Sequence, residues 1–323
     1  MHTSAITGQI SRGGATRGHY AVAPLPGKRE IALRSQAPGA RNVVSRSPAG
    51  FWASRRYCQP VGLRPWLGWA GDARRKNDLG LIVRINKKFN IKTVVKEAVL
   101  RNRHRKFRHS GKLDYDWSTL NYDRKAIVNR LLAATAGSDY LEIGCAGNDL
   151  FDAVMASRKI GVDPVRGGTH RLTSDAFFAS WRGHGFDVAF IDGLHHYPQV
   201  RRDLDNALRW LRPGGWIAIH DMLPRDWLEE HVPQIQSRGW TGDGWKVAFE
   251  LLASADVEFR VVAIDHGIVV VRPMVEKPAI PDLSASLAAE RFAYLHRHFA
   301  LLPVVGYHEA SAWIASHRAE RGA

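Results

Sequence analysis

Four acids in this chain stand where an apolar run ends: Glu142, Asp163, Asp192 and the Asp221 of a His220-Asp221 pair. In an open parallel sheet, ligands bind beyond the carboxyl ends of the strands, so these side chains are the first candidates for chemistry. Gly144 and Gly147 follow Glu142 closely and permit a tight turn that brings backbone near a ligand. Asp163 lies 21 residues after Glu142, the spacing at which an acid ending a second strand accepts hydrogen bonds from ribose hydroxyls. His195 and His196 stand three and four residues after Asp192, and imidazole is the side chain whose proton moves near neutral pH.

The elements that must carry these residues are legible as an alternation of strands and helices. Ile127, Leu131 and Leu132 have helical spacing within 123–134, and Tyr140 to Gly144 reads as a buried strand ending in a turn. A helix over 149–157 leads to a strand at 159–164, halted by Pro164. Phe186 to Gly193 is the clearest strand; Pro198 then opens a helix that places Val200, Leu204, Ala207, Leu208 and Leu211 on one face and stops at Pro213-Gly214-Gly215. Trp216 to Asp221 is the next strand, and a helix over 245–254 follows. Val257 to Ile264 and Ile268 to Val271, joined across Asp265-His266-Gly267, form an antiparallel hairpin. The fold class is therefore α/β: a Rossmann-like, doubly wound sheet of about seven strands, mostly parallel, with a terminal antiparallel hairpin.

A nicotinamide-dependent dehydrogenase shares the ribose acid but requires Gly-x-Gly-x-x-Gly; this loop reads Gly144-Cys145-Ala146-Gly147-Asn148-Asp149, and the closing hairpin is foreign to that fold. Over about 114–273 the pattern instead resembles the class I methyltransferases that use S-adenosylmethionine (SAM). Ile191-Asp192-Gly193-Leu194-His195-His196-Tyr197, Leu211-Arg212-Pro213-Gly214-Gly215 and His220-Asp221 look like a bacterial branch, methyltransferase family 24-like, that includes small-molecule O-methyltransferases. Trp240-Thr241-Gly242-Asp243-Gly244-Trp245-Lys246 is similar to a Trp-x-Gly-Asp-x-Trp-Lys element in some members.

The resemblance implies that Glu142, Gly144 and Gly147 shape the loop around the methionine part of SAM, Asp163 holds the ribose, Ser174 and Asp175 lie near the adenine, and Asp192 sits beside the cofactor. The family loop commonly has glycines where Ala146 and Asn148 stand here. A hydroxyl acceptor must lose a proton, and His195 or His196 would serve as general base, with Asp192 and His220 beside them. Related catechol- and sugar-type enzymes hold a divalent cation between an acid ending the fourth strand and a polar pair ending the fifth. Asp192, His220 and Asp221 match those places, and Mg²⁺ or a similar hard cation suits such ligands. The alternative is that Asp192 and Asp221 merely shape loops.

The formal charge of +15 is unevenly spread: through Lys112 there are 24 basic and 4 acidic residues, and after it 22 basic and 27 acidic. Residues 1–80, rich in Gly, Ser, Pro, Ala and Arg, read as a disordered basic tail, and 81–113 as a basic lead-in helix. The methyltransferase domain is expected over 114–275. A C-terminal helical extension follows over 276–323, in which Arg291, Phe292, Leu295, Phe299 and Leu302 have helical spacing and would cover the core or pair with another subunit as a homo-oligomer. Two cysteines, Cys58 and Cys145, match neither a disulfide framework nor a zinc site, and no apolar run is long enough for a membrane span or a secretory signal. A cytoplasmic enzyme acting on a small-molecule acceptor is expected. The alternative is an RNA methyltransferase, or an RNA-binding protein, that uses the basic N-terminal segments.

Overall fold

The computed structural model describes residues 91–317 apart from Ala136, so the expected tail over 1–80 lies outside the described residues. In chain order the elements are α1 (Ile91–Arg103), α2 (Arg124–Ala134), β1 (Asp139–Ile143), α3 (Asp149–Ala153), β2 (Arg158–Val162), α4 (Ser174–Ser180), β3 (Phe186–Ile191), α5 (Tyr197–Trp210) and β4 (Leu211–Ile219). After these come α6 (Trp227–Glu230), α7 (Lys246–Ala253), β5 (Val257–Val262), β6 (Ile268–Pro273), α8 (Ser284–Leu287), α9 (Phe292–His298), β7 (Val304–Val305) and α10 (Tyr307–Ser316).

The seven strands form one sheet in the order β2-β1-β3-β4-β6-β5-β7. All neighbours are parallel except β6, which runs antiparallel to both β4 and β5. Every residue of β1 and β3 is buried, as expected for central strands covered on both faces. Alternate residues serve the two layers. Leu141, Ile143, Ala189, Ile191, Ile217 and Ile219 join one core with Val200 and Leu204 of α5 and Phe249 of α7. Tyr140, Val188, Phe190, Trp216 and Ala218 join the other with Ile127 and Leu131 of α2 and Ile314 of α10. The chain leaves β1 toward β2 on one side and returns to β3 on the other, so the sheet order reverses between β1 and β3 and opens a crevice at their carboxyl ends.

Local chemistry sets the helix starts. Asp123 caps α2 by accepting from the Lys125 and Ala126 amides, and Pro198 occupies the first turn of α5, where its missing N–H costs nothing. Four elements differ from the sequence reading. Of the lead-in helix expected over 81–113, α1 ends at Arg103 and, past a short turn at Arg105–Phe107, residues 108–113 are not helical. α3 ends at Ala153 rather than 157. β4 begins at Leu211 and runs through Pro213-Gly214-Gly215, with a register shift opposite Phe186–Val188, so this proline-glycine segment is an irregular strand entrance and not a break before Trp216. The C-terminal segment is not wholly helical: β7 adds a parallel strand beside β5, where the Val261 amide bonds to Pro303 and the Ala263 amide to Val305. Two residues are too few for a periodic signal, and the pairing is decided by the free edge of β5. Phe292, Leu295 and Leu302 are buried against this chain's own core. Among the described residues, no helix is long and apolar enough to cross a membrane.

Candidate active site

The crevice holds a cavity of about 860 Å³. One wall is the loop after β1. Gly144 has φ +89°, and a Cβ there would fall 2.0 Å from the Asp192 carbonyl oxygen, so β1 and β3 approach as only glycine allows. Ala146 and Asn148, at φ 45° and 68°, also take the left-handed conformation. These are the two positions where the resembling family commonly has glycine, and the backbone path that glycine permits is kept. Gly147 needs no such freedom, since its φ is not positive and a Cβ would meet only Asp149 at 3.9 Å.

Asp163 binds this loop to the next. Its Oδ2 accepts from the Ala146 amide at 2.9 Å, and its Oδ1 accepts from Val165 and Arg166 at 2.7 and 2.8 Å. Burial works against the charge, but the backbone donors hold the carboxyl below its ordinary range. Ser174, at the start of α4, also lines the cavity and accepts from the Gln199 amide group at 3.1 Å, while Asp175 on the rim takes the same group at 3.2 Å. Glu142 is placed elsewhere than the sequence reading had it. It is absent from the cavity wall and buried within the sheet layer, where the Tyr140 hydroxyl donates to it at 2.6 Å. Burial pushes its carboxyl up to about 7, against that hydrogen bond.

At the other wall, the ends of β3, β4 and the β5–β6 turn assemble a charged cluster. His195 Nε2 lies 3.2 Å from Asp192 Oδ1 and its Nδ1 3.0 Å from Asp221 Oδ2. The Nδ1 contact is poorly aligned for a hydrogen bond, so it is an ion pair in distance only. The fully buried His220 ring puts Nδ1 3.1 Å from Asp192 Oδ1 and turns Nε2 toward Asp265, 3.6 Å away and without a hydrogen-bond partner. Arg124 closes the group, its Nη1 donating to Asp192 at 2.7 Å and its Nε to Asp265 at 2.8 Å. Asp221 itself has φ 59°, an uncommon conformation for a residue with a side chain and one often found at functional sites.

Burial opposes every charge in this cluster, yet the charges on both sides prevail. The carboxylates of Asp192 and Asp221 lift His195 to about 9 and His220 well above its ordinary value, and the two histidines hold Asp192 and Asp221 below the usual carboxylate range. His220 and Arg124 do the same for Asp265.

Asp192, His195 and Asp221 each present a ligand atom, all within 4.8 Å of one another. His195 therefore stands in the cluster where sequence had placed His220, which sits deeper and pairs with Asp192 and Asp265. Two carboxylates and an imidazole whose Nδ1 lacks an aligned partner suit a hard divalent cation. His196 lies outside the cavity wall, at the start of α5 with its ring edge-on to Trp240. Sequence reading missed Arg124, Asp265 and the Trp240 ring that stacks on His195. Arg124 and Asp265 meet across 141 residues, and no local spacing signals such a pair.

Residues 141–222 match a family model described as a methyltransferase domain. No curated protein matches the chain. Among solved structures it is similar to an O-methyltransferase from Bacillus cereus in complex with SAH, with 16% identity over 58% of this chain and 92% of that one and a TM-score of 0.34. It is also similar to MycE methyltransferase from the mycinamycin biosynthetic pathway, in complex with Mg, SAH and mycinamycin VI, with 18% identity over 58% of this chain and 57% of that one and a TM-score of 0.33. N-methyltransferase NodS from Bradyrhizobium japonicum has 15% identity over 46% of this chain and 92% of that one, with a TM-score of 0.31.

Proposed function

Taking as premise that the chain carries a class I SAM-dependent methyltransferase domain, we propose that it methylates a hydroxyl of a small polar acceptor, and that Asp192, His195 and Asp221 form the acceptor-activating end of the cavity. The observation that carries this reading is the position of His195 between two carboxylates on the same cavity that Gly144, Asp163 and Ser174 line.

Methyl transfer from a sulfonium is an in-line displacement, so the protein must hold the acceptor oxygen behind the methyl group and help it lose a proton. Gly144 and Ala146 offer backbone at close approach for the methionine part of SAM, Asp163 has lone pairs left for ribose hydroxyls, and Ser174 and Asp175 lie at the adenine end. A general base must be free of its proton at working pH. His195, lifted to about 9, keeps its proton near pH 7 while the two acids flank it. The acids thus favour positive charge at this point, met by the imidazolium in the free chain. Asp192, His195 and Asp221 would hold Mg²⁺ or a similar cation in its stead, with His195 giving up its proton. A cation bound there supplies the charge that lowers the pKa of an acceptor hydroxyl. Arg124 and His220 hold Asp192 from behind in either state.

The acceptor side of the cavity is lined by Gln234, Ser237, Trp240 and His266, a mixed aromatic and hydrogen-bonding surface suited to a sugar or another hydroxyl-bearing metabolite. Calorimetry of the full chain with SAM, followed by transfer of labelled methyl to sugar and catechol hydroxyls with and without chelator, tests the reading. SAM binding and chelator-sensitive transfer restored by Mg²⁺ or Mn²⁺ are expected. Tight binding of NAD without SAM would overturn it.

Transfer to RNA is the second reading. It draws on the exposed Lys92, Lys96, Arg103, Arg105 and Lys106 in and just after α1. RNA binding that weakens steeply with salt and disappears on removing residues 1–112 would favour it. A cytoplasmic setting accords with the buried free thiol of Cys145, which burial raises to about 12.

A further inference from the structure

Three residues of the segment 240–246, Trp240, Gly242 and Asp243, close on His195 from different directions. The Trp240 ring stacks on the His195 ring, centroids 5.5 Å apart and planes 17° from parallel, and its indole N–H donates to the His231 carbonyl at 2.8 Å. Thr241 is fully buried and bonded through its amide to the Glu229 carbonyl at 2.9 Å. Gly242, at φ +69°, leaves so little room that a Cβ would fall 1.9 Å from the His195 carbonyl oxygen. The Asp243 amide then donates to that same oxygen at 3.1 Å.

The Asp243 side chain completes the grip. Its Oδ1 accepts from the Tyr197 amide at 2.8 Å, just past His195-His196, and its Oδ2 accepts from Lys246 Nζ at 2.8 Å. Lys246 is fully buried, and its Nζ also donates to the Ala288 carbonyl at 3.1 Å. Burying a lysine and an aspartate costs several kcal/mol per ion before pairing offsets it, and replacing a buried ion pair by apolar residues of similar volume is often neutral or stabilising. Such an ion pair is explained when it fixes a geometry.

We propose that Asp243, held by Lys246, and Trp240 are positioning residues for His195: together they fix its backbone and ring plane so that it bridges Asp192 and Asp221. The proposal rests on the reading of His195 as part of the reacting end of the cavity. It gives a role to the Trp240–Lys246 element, none of whose side chains except Trp240 lines the cavity. The Trp240 stack adds a restraint on a ring whose Nδ1 has no aligned hydrogen-bond partner.

Two variants test this in the full chain: D243N/K246M, which removes both charges of the ion pair together and keeps an acceptor for the Tyr197 amide, and W240A, which removes the stacked ring and its bond to the His231 carbonyl. The readout is the ¹H–¹⁵N spectrum of the histidine rings, with His184 as the internal control because it pairs with Asp139, 3.3 Å away, at the opposite end of the sheet, whereas His220 shares Asp192 with His195. In both variants His195 is expected to shift and broaden while His184 stays in place, with SAM affinity within about threefold. With a working acceptor, kcat falls about tenfold or more in both variants; KM for the acceptor changes little in D243N/K246M, whose side chains lie off the cavity wall, and rises in W240A, whose ring also lines the acceptor side. An unchanged His195 signal in W240A and in D243N/K246M overturns the proposal. So does joint loss of the His195 and His184 signals in W240A, which would show a general packing role. Should the double variant fail to fold, W240A alone decides. Absence of SAM binding by the unmodified chain would instead defeat the functional reading and leave the His195 comparison intact.

Discussion

The Asp163 carboxylate accepts a hydrogen bond from the Ala146 amide at 2.9 Å, so the acid that ends β2 holds the loop that follows β1. Replacing it affects both the cofactor's ribose and the shape of the loop meant to receive the methionine part. Asp163→Ala leaves the Ala146, Val165 and Arg166 amides without their acceptor, each loss being worth about 1 kcal/mol or more when buried. SAM affinity is expected to fall at least about tenfold, measured by calorimetry; affinity within twofold of the unmodified chain would remove Asp163 from the cofactor site.

The same loop separates two substitutions that look alike on paper. Ala146 at φ 45° carries a left-handed penalty of roughly 1–2 kcal/mol, whereas a glycine would forfeit roughly 0.5–1 kcal/mol of chain entropy. Ala146→Gly should therefore raise the urea midpoint slightly or leave it unchanged. Gly144→Ala meets the Asp192 carbonyl at 2.0 Å and should lower stability by about 3 kcal/mol or more. Equal midpoints for the two variants would contradict the loop geometry.

His195 and His196 are adjacent in sequence but separated by the fold. His195→Ala should slow methyl transfer by roughly 10²-fold or more, with SAM affinity nearly unchanged, because the loss falls on the transition state. His196→Ala should change the rate by less than about threefold, since its ring lies off the cavity wall. Reversal of this order in a labelled-methyl assay would show that the acceptor enters from the other side.

Glu142 gives the pH dependence a sign. Burial raises its carboxyl from an ordinary 4.5 to about 7, so the folded chain holds this proton more tightly than the unfolded one. The stabilisation is complete below about pH 4.5 and is lost as pH rises through about 7. Glu142→Gln, which cannot ionise, should gain stability relative to the unmodified chain across that window, by on the order of 2–3 kcal/mol at its upper end. Urea titrations at several pH values check this, and a constant difference between the two proteins would contradict it.

Much of the fold was written locally. The buried runs of β1 and β3, the Pro198 entry to α5, the Asp123 cap of α2 and the short Asp265-His266-Gly267 turn each follow from residues within a few positions of one another, and period and turn chemistry suffice to read them. The placing of Asp163, Asp192 and Asp221 at strand ends on one crevice followed from that alternation alone. Other features depended on contacts distant in sequence. That His195, rather than the deeper His220, presents a ligand atom together with Asp192 and Asp221 is tied to Trp240 and Asp243, more than 40 residues away along the chain. That Asp265 and Arg124 close the group depends on a hairpin turn meeting the start of α2. Glu142 turned inward because a strand residue has only two faces, and Tyr140, two positions earlier on the same face, offered its hydroxyl there. Periodicity fixes which side of an element a residue takes, but side-chain direction within a cluster is settled by which charges and rings the rest of the chain brings beside it.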